Sequence, residues 1–285
     1  MRRPAPLPVR DGLGPARVRL RGGAVLVELA DRFGEAAAAK VLNGEVFTAD
    51  GAVVTASTVL QHNSVVYLYR DLPDEVAVPF DVPVLHRDDN LVVVDKPHFL
   101  ATMPRGSHVA QTALVRMRRE LDLPQLSPAH RLDRLTAGVL VFTTRREVRG
   151  AYQTMFARGG VSKTYLAQSS AGTDRDFPIT VRSRIIKRRG TLQAVEEPGE
   201  PNAETLVERV DDRTYRLMPR TGRTHQLRVH MNSLGLPIAG DPLYPNVIDV
   251  AVGDFSTPLK LLAQCLEFTD PLAGVRLRFT SERTL

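Results

Sequence analysis

Apolar residues recur at helical spacing from Val25 to Phe33 (Val25, Leu26, Leu29, Phe33), which predicts a short amphipathic helix. A second helical piece runs from Glu35 to Leu42 and stops at Asn43-Gly44, a pair suited to the left-handed turn that ends a helix. Strand-like runs follow at Glu45–Thr48, Val53–Thr55 and Ser64–Tyr69, the first two split by the turn Asp50-Gly51. Residues 71–83 hold three prolines and read as a linker.

Beyond that linker the pattern changes to many short strands. Val84–His86 and Leu91–Asp95 flank the turn Arg87-Asp88-Asp89-Asn90 and predict a hairpin. Gln111–Leu121 is an amphipathic helix, Gly138–Phe142 an apolar strand, and Glu147–Ala157 a helix closed by Gly159-Gly160. Strands are expected at Ser162–Gln168, Ile179–Ile186, Glu204–Val210 and Thr214–Met218. Thr224–Leu234 reads as a helix capped by Thr224, and Leu261–Phe268 with Gly274–Phe279 as a final strand pair around Asp270-Pro271. Strands outnumber helices and are joined mostly by hairpins. The expected class is therefore α+β with a mixed, largely antiparallel sheet, not a doubly wound nucleotide fold. The chain divides into a basic, flexible tail (1–24), a small module (25–70), the linker (71–83) and a large domain (84–285).

Composition narrows the class. With 285 residues, 43% hydrophobic and 25% charged, the chain can bury a real core, which excludes wholesale disorder. Its one cysteine, Cys265, has no internal partner, as expected in a reducing compartment. No apolar run approaches the roughly 20 residues of a membrane helix. The start is basic but lacks the apolar stretch of a secretory signal, so a soluble, cytoplasmic protein is expected. Of 38 basic residues 33 are Arg, and the formal charge of +6 is uneven: −1 over residues 1–85 and +7 over 86–285. Codon bias towards GC-rich genes would raise the Arg count. So would use of guanidinium groups to grip phosphate and stack on bases.

Two polar clusters could carry chemistry. In Pro128-Ala129-His130-Arg131-Leu132-Asp133-Arg134-Leu135-Thr136-Ala137-Gly138, a carboxylate stands between two guanidinium groups just before an apolar strand. Nearby positive charge favours the ionised form, which suits a nucleophile or base better than a proton donor. An aspartate capping a loop on the surface would have the same local sequence. In Pro219-Arg220-Thr221-Gly222-Arg223-Thr224-His225-Gln226-Leu227-Arg228-Val229-His230, a turn feeds a helix whose first N–H groups and clustered cations point to phosphate. A solvated basic helix end is the plainer reading. His225 and His230 are five apart, on different helix faces, with no carboxylate to complete a metal set. No dinucleotide fingerprint or phosphate loop is present, so no metal and no nucleotide cofactor is implied. Tyr165, in Lys163-Thr164-Tyr165-Leu166-Ala167, is either half-buried core or a platform for a base.

These pieces, in this order, resemble the RluA-type pseudouridine synthases, which isomerise uridine in RNA. The match covers roughly residues 84–285. It runs from Asp95-Lys96-Pro97 through His130-Arg131-Leu132-Asp133 with Thr136-Ala137-Gly138-Val139-Leu140-Val141-Phe142. It continues through Lys163–Ala167 and Thr221–His230 to Ile238-Ala239-Gly240-Asp241-Pro242-Leu243-Tyr244. The resemblance implies that Asp133 is the catalytic aspartate and that Tyr165 stacks on the target base and assists the late proton removal. It also implies that Arg228 pairs with Asp133 and that Arg131 holds the displaced nucleotide. Arg134, Arg223, His225 and Gln226 are expected beside substrate RNA. No cofactor is implied, because the reaction involves no redox change and no external group. The run His98–Gly106 and the Thr136-Ala137-Gly138 triplet depart from the family's usual Gly, His-Pro and Thr-Ser-Gly, and bear on substrate choice. Residues 25–70 resemble the small α-L (S-four-like) RNA-binding module.

The partner implied is structured RNA, ribosomal or transfer. Two other readings stand beside this one. A non-catalytic RNA-binding or ribosome-assembly protein on the same scaffold would not turn over a uridine transcript. An RNA hydrolase using Asp133 with His130 would shorten the RNA, whereas isomerisation would not.

Overall fold

The computed structural model describes residues 5–72 and 74–285, so residues 1–4 of the expected tail and Pro73 of the expected linker lie outside the described residues. The chain forms two compact units, Met1–Asp74 and Glu75–Leu285.

In the first unit, β1 (Ala16–Arg19), β2 (Gly23–Ala24), α1 (Val25–Phe33), α2 (Glu35–Leu42), β3 (Phe47–Thr48), β4 (Val59–Leu60) and β5 (Val65–Leu68) follow in order. Strands β1, β5 and β3 form one antiparallel sheet, and β2 pairs with β4. Both helices fall where the periodicity puts them, and they bury Val25, Leu29, Ala37 and Val41 against Val46, Val54 and Val66. Residues 16–24, read from sequence as part of a tail, instead supply two strands. With only Val18 and Leu20 turned inward between arginines, that stretch carries too short an alternation to register as a strand.

In the second unit the elements are β6 (Val84–Arg87), β7 (Leu91–Lys96), α3 (Ala113–Glu120), β8 (Ser127–Pro128), β9 (Ala137–Thr143), α4 (Arg146–Ala157) and β10 (Val161–Gln168). These are followed by β11 (Ile179–Ile186), β12 (Val195–Glu197), β13 (Ala203–Arg209), β14 (Thr214–Pro219), α5 (Gln226–Ser233), β15 (Leu261–Thr269) and β16 (Arg276–Thr280). They build one eleven-stranded sheet in the order β12-β11-β13-β14-β10-β15-β9-β7-β6, with β16 beside β15 and β8 beside β9. Every pairing is antiparallel except β9 with β15, so the sheet is mixed and mostly antiparallel, as expected.

Strands β7 and β9 are buried along their whole length because apolar layers cover both faces. Val92, Val94, Leu140 and Phe142 meet Met117 and Leu126 on one side. Val93, Val139 and Val141 meet Tyr152 and Phe156 of α4 on the other. At the single parallel crossing, Gly138 lies opposite Ala263 with φ +111°, and a Cβ there would stand 2.2 Å from the Ala263 carbonyl oxygen. Only glycine permits that approach.

The linker is shorter than its prolines suggest. Glu75 belongs to the second unit, where its carboxylate accepts the N–H groups of Val109 (2.9 Å), Ala110 (2.7 Å) and Gln111 (3.0 Å) ahead of α3. Val78 and Val82 join the main core. At the other end of the chain, Asp95 is buried and accepts from Ser281 Oγ (2.7 Å) and the Glu282 N–H (2.8 Å). Helix α5 begins two residues later than expected. Thr224 does not cap it; His225 takes that position with φ +59°.

Two histidines are built into this framework. The His130 ring stacks on Phe156 at 4.4 Å, and its Nε2 accepts the Val141 N–H (3.2 Å), so the ring proton sits on Nδ1. His230 bonds Thr205 Oγ1 (2.9 Å) and Ser183 Oγ (3.1 Å) and is fully buried. Burial lowers the pKa of His130 to about 3 and of His230 to about 4.

Two outcomes follow. Protonation favours the unfolded chain wherever the folded pKa is the lower one. Each histidine's contribution is therefore complete above pH 6.5 and is lost as the pH falls towards the folded value. Urea titrations at pH 7 and pH 5 should differ by roughly 2 kcal/mol per histidine, with the acid sample weaker. Equal midpoints would mean that these rings are charged in the fold. Gly138→Ala should cost about 3 kcal/mol or more, read from the denaturant midpoint at pH 7.

Candidate active site

Asp133 lies in the loop between β8 and β9, where the backbone has no ladder to satisfy it. Four successive carbonyls of that loop are each held by a different group. Thr102 Oγ1 donates to Leu132 O (2.7 Å) and accepts the Leu132 N–H (3.1 Å). The Thr136 N–H donates to Asp133 O (3.1 Å), Lys96 Nζ to Arg134 O (3.3 Å) and His98 Nδ1 to Leu135 O (2.7 Å). Leu132 and Leu135 point into the core, which turns Asp133 and Arg134 outward between them. Asp133 is half-buried, and Arg131 and Arg134 are exposed.

Lys96 is fully buried at the end of β7. Its Nζ also donates to Pro97 O and Leu100 O, both at 2.8 Å, so three carbonyls match the three hydrogens of an ammonium. Burial pulls its pKa down to about 7, and the charge of Asp133 opposes that fall. His98 is held below its ordinary pKa by burial, against the pull of its bond to Leu135.

Tyr165 reaches the same place from β10. It pairs with Leu217 on β14 and Ala263 on β15, and a bulge against β15 falls between Thr164 and Tyr165. Such an irregularity re-aims a side chain. Ala263 is opposite both Tyr165 and Gly138, so one residue of β15 joins the tyrosine to the strand that the Asp133 loop enters. Tyr165 packs against the main core, and its hydroxyl pKa is raised by burial and then by the charge of Asp133.

The start of α5 and the turn after Gly240 form the remaining wall. Arg228 is 2% exposed, and its guanidinium makes a two-pronged pair with Asp241, with Nε to Oδ2 at 2.8 Å. The carboxylate partner of Arg228 is therefore Asp241 and not Asp133, the partner the sequence comparison implied. Asp241 wins because its turn presents it fully formed: Oδ1 also accepts the N–H groups of Leu243 (2.8 Å) and Tyr244 (3.2 Å). Gly240, with φ +71°, makes the turn possible, since a Cβ there would stand 2.2 Å from Pro258 O. Burial lowers the pKa of Arg134 and of His225, and the Arg228 charge, which still reaches the site, adds to both falls.

His225 is half-buried, and its Nδ1 lies 2.9 Å from Tyr244 Oη. That hydroxyl donates to Ala194 O (2.9 Å) and accepts the Ala194 N–H (2.7 Å). Burial, set against an ordinary phenol in water, pushes Tyr244 up to about 12. The charge of Asp133 thus acts on four residues of the site, Lys96, Tyr165, His225 and Tyr244.

Gln226, expected at the RNA, is turned inward instead. It is buried, its Oε1 accepts from Thr221 Oγ1 (2.7 Å) and the Arg223 N–H (3.0 Å), and its Nε2 donates to Glu204 O (3.0 Å) and Thr205 Oγ1 (2.9 Å). These four bonds fill the side-chain amide and brace the turn before α5. Arg223 is exposed and donates from Nε to Asn202 O (2.9 Å). Arg182 and Arg220 both pair with Glu204, at 2.8 and 2.9 Å. Among the described residues no group of three or more His, Cys, Asp or Glu could hold a metal. No described helix is long and apolar enough to cross a membrane.

Thr102, His98, Asp241 and Tyr244 were not assigned roles from sequence. One signal was available for Lys96: it is one of five lysines in the chain and ends the apolar run Leu91–Val94 through Asp95, a place where a charge needs a cage.

A family profile described as RNA pseudouridylate synthase matches residues 90–233. The mitochondrial tRNA pseudouridine(32) synthase of Saccharomyces cerevisiae is 30% identical over 77% of this chain, which spans 49% of that protein. The dual-specificity RNA pseudouridine synthase RluA of Salmonella typhi is 34% identical over 69% of this chain and 90% of its own length. Among solved structures, human RNA pseudouridylate synthase domain containing 4 superposes with TM-score 0.53 at 27% identity, over 70% of this chain and 87% of that one. Human RNA pseudouridylate synthase domain containing 1 shares the fold, with TM-score 0.58 at 23% identity over 74% of this chain and 86% of its own. The chain thus spans about half the length of the yeast relative and nearly all of the bacterial one, and it belongs to the RNA pseudouridylate synthase family, in its RluA-type branch.

Proposed function

We propose that this protein isomerises uridine to pseudouridine in structured RNA, with Asp133 as the nucleophile. The observation that carries the reading is a half-buried carboxylate on a loop gripped at four successive backbone carbonyls, with its charge acting on Tyr165 and His225. The N-glycosidic bond breaks, the uracil turns, and a carbon–carbon bond forms to the same sugar. Attack at the sugar carbon and attack at the base both need a fixed, ionised carboxylate. Neither needs a redox partner.

The target uridine must leave its stack to reach Asp133. Arg131 and Arg134 are exposed on the same loop and suit the vacated space, by stacking and by phosphate contact. Arg223 lies exposed before α5 and suits a phosphate. Arg228 acts through Asp241 and through its charge, while Tyr165 offers a flat face for the base. The yeast relative's name, a tRNA pseudouridine synthase, favours transfer RNA as substrate, with ribosomal RNA as the other expected class. The two short helices and small sheet of the first unit support an S-four-like RNA-binding module there.

A hydrolase built on Asp133 and His130 is disfavoured, because the His130 Nε2 lone pair already accepts the Val141 N–H and burial keeps the ring neutral. A non-catalytic scaffold leaves the grip on the Asp133 loop without a purpose.

Asp133→Asn should lower pseudouridine formation on a uridine transcript by about a thousandfold or more while RNA affinity stays within a few fold. Full turnover by this variant would sink the assignment, as would shortened RNA from the wild type. Thr102→Val removes both bonds to Leu132 and should lower kcat by about 10- to 100-fold with KM nearly unchanged.

A further inference from the structure

We propose that His225 is a catalytic residue of this isomerisation and that its Nε2 accepts the proton leaving C5 of the target base; the proposal rests on the pseudouridine synthase reading above. Once the glycosidic bond is broken and C5 has bonded to the sugar, C5 carries both hydrogen and sugar, and the ring holds a C6=N1 double bond. Nε2 takes the C5 proton. The C5–H electron pair becomes the C5=C6 bond, and the C6=N1 pair moves onto N1. N1 then takes a proton from solvent, and the imidazolium returns its own to solvent. Atoms and charge balance without another reactant.

Geometry singles out His225 for this step. Its backbone is left-handed, at φ +59°, a conformation uncommon outside glycine that histidine adopts more readily than most residues, and it fixes where the ring points. That conformation places the ring edge-on to Tyr244, with centroids 5.7 Å apart and interplanar angle 89°. The Tyr244 hydrogen goes to Ala194 O, and its oxygen takes the Ala194 N–H, so its remaining lone pair accepts from Nδ1 of His225. That network assigns the ring proton to Nδ1 and leaves the lone pair on Nε2, on the ring edge away from Tyr244. A ring locked from behind at one nitrogen and open at the other is what a proton acceptor needs.

The charges around the ring agree. Asp133, Arg228, Lys187 and Asp241 face it, and burial with the two cations outweighs the two carboxylates. The imidazole is held below its ordinary pKa and is neutral near pH 7. Tyr165 is the other candidate, but burial and Asp133 both keep its phenol protonated. A protonated phenol has little basicity and serves better as a stacking face. A neutral imidazole is also a poor phosphate contact, the role the sequence suggested for His225.

The test uses the full chain with RNA carrying ordinary or C5-deuterated uridine, comparing wild type, His225→Asn, Tyr244→Phe and Tyr165→Phe. Asparagine tolerates the left-handed backbone, so the fold should hold, as circular dichroism and thermal melting would verify. His225→Asn should lower kcat by about 100- to 1,000-fold, keep RNA Kd within about threefold, and raise the deuterium effect on kcat above about 2. The acid limb of the wild-type kcat profile, below pH 6.5, should vanish in that variant. Tyr244→Phe should lower kcat by about tenfold and move the acid limb. Tyr165→Phe should keep the wild-type isotope effect. The proposal is overturned if His225→Asn stays within about threefold of wild type, if its isotope effect is unchanged, or if weaker RNA binding accounts for its loss. An enlarged isotope effect in Tyr165→Phe alone would transfer the role to the tyrosine. If His225→Asn melts early, His225→Gln and the Tyr244→Phe profile decide the question by the same criteria. A wild type that forms no pseudouridine refutes the functional reading itself, whereas with an active wild type only the variants bear on His225.

Discussion

One constraint on which the second unit depends is the crossing of β9 and β15, where Gly138 meets the Ala263 carbonyl with no room for a Cβ. The strands run parallel there, against the antiparallel habit of the rest of the sheet. Because Ala263 also pairs with Tyr165 of β10, that crossing fixes the distance between the aspartate loop and the tyrosine. Tyr165 is thereby mounted on a central strand, and the Asp133 loop leads directly into the fully buried β9. A rigid mounting suits the proposed reaction, in which one carboxylate would meet first one position of a substrate and then another.

The loop itself obeys a different economy. Strands satisfy their own polar groups, but residues 132–135 have no ladder, and each carbonyl finds its own donor: a hydroxyl, a backbone amide, an ammonium and an imidazole. Three of those donors come from residues 96–102, at the end of β7 and just beyond it. The Asp95-Lys96-Pro97 motif is thus a bracket for the loop forty residues on, and its lysine holds backbone instead of contacting substrate.

Local pattern was enough for most of the frame. Ile179–Ile186 alternates along its length, Val25–Phe33 repeats at helical spacing, and both elements appear over those spans. Elements of two or three residues, such as β8 and β12, carry no period to read. The charge of Asp133 acts on Tyr165, whereas the partners of Arg228 and Gln226 could not be read. Which carboxylate an arginine meets depends on turns as far away as Gly240, and an amide at the head of a helix can point either way until its neighbours are placed. The start of α5 was misread for a related reason: Thr224 has the chemistry of a cap, but the tie to Tyr244 draws His225 into that position.

Glu75 draws the border of the second unit. A boundary set by proline content would fall near residue 84, in the middle of material that the core already owns. Cutting there would strip three amide hydrogens ahead of α3 of their acceptor and uncover the cleft that Val78 and Val82 fill. The severable joint is on the N-terminal side of Glu75. A transplanted or recombined second unit therefore has to carry this acidic residue and the proline-rich stretch behind it, as a strap belonging to that unit and not to the tether.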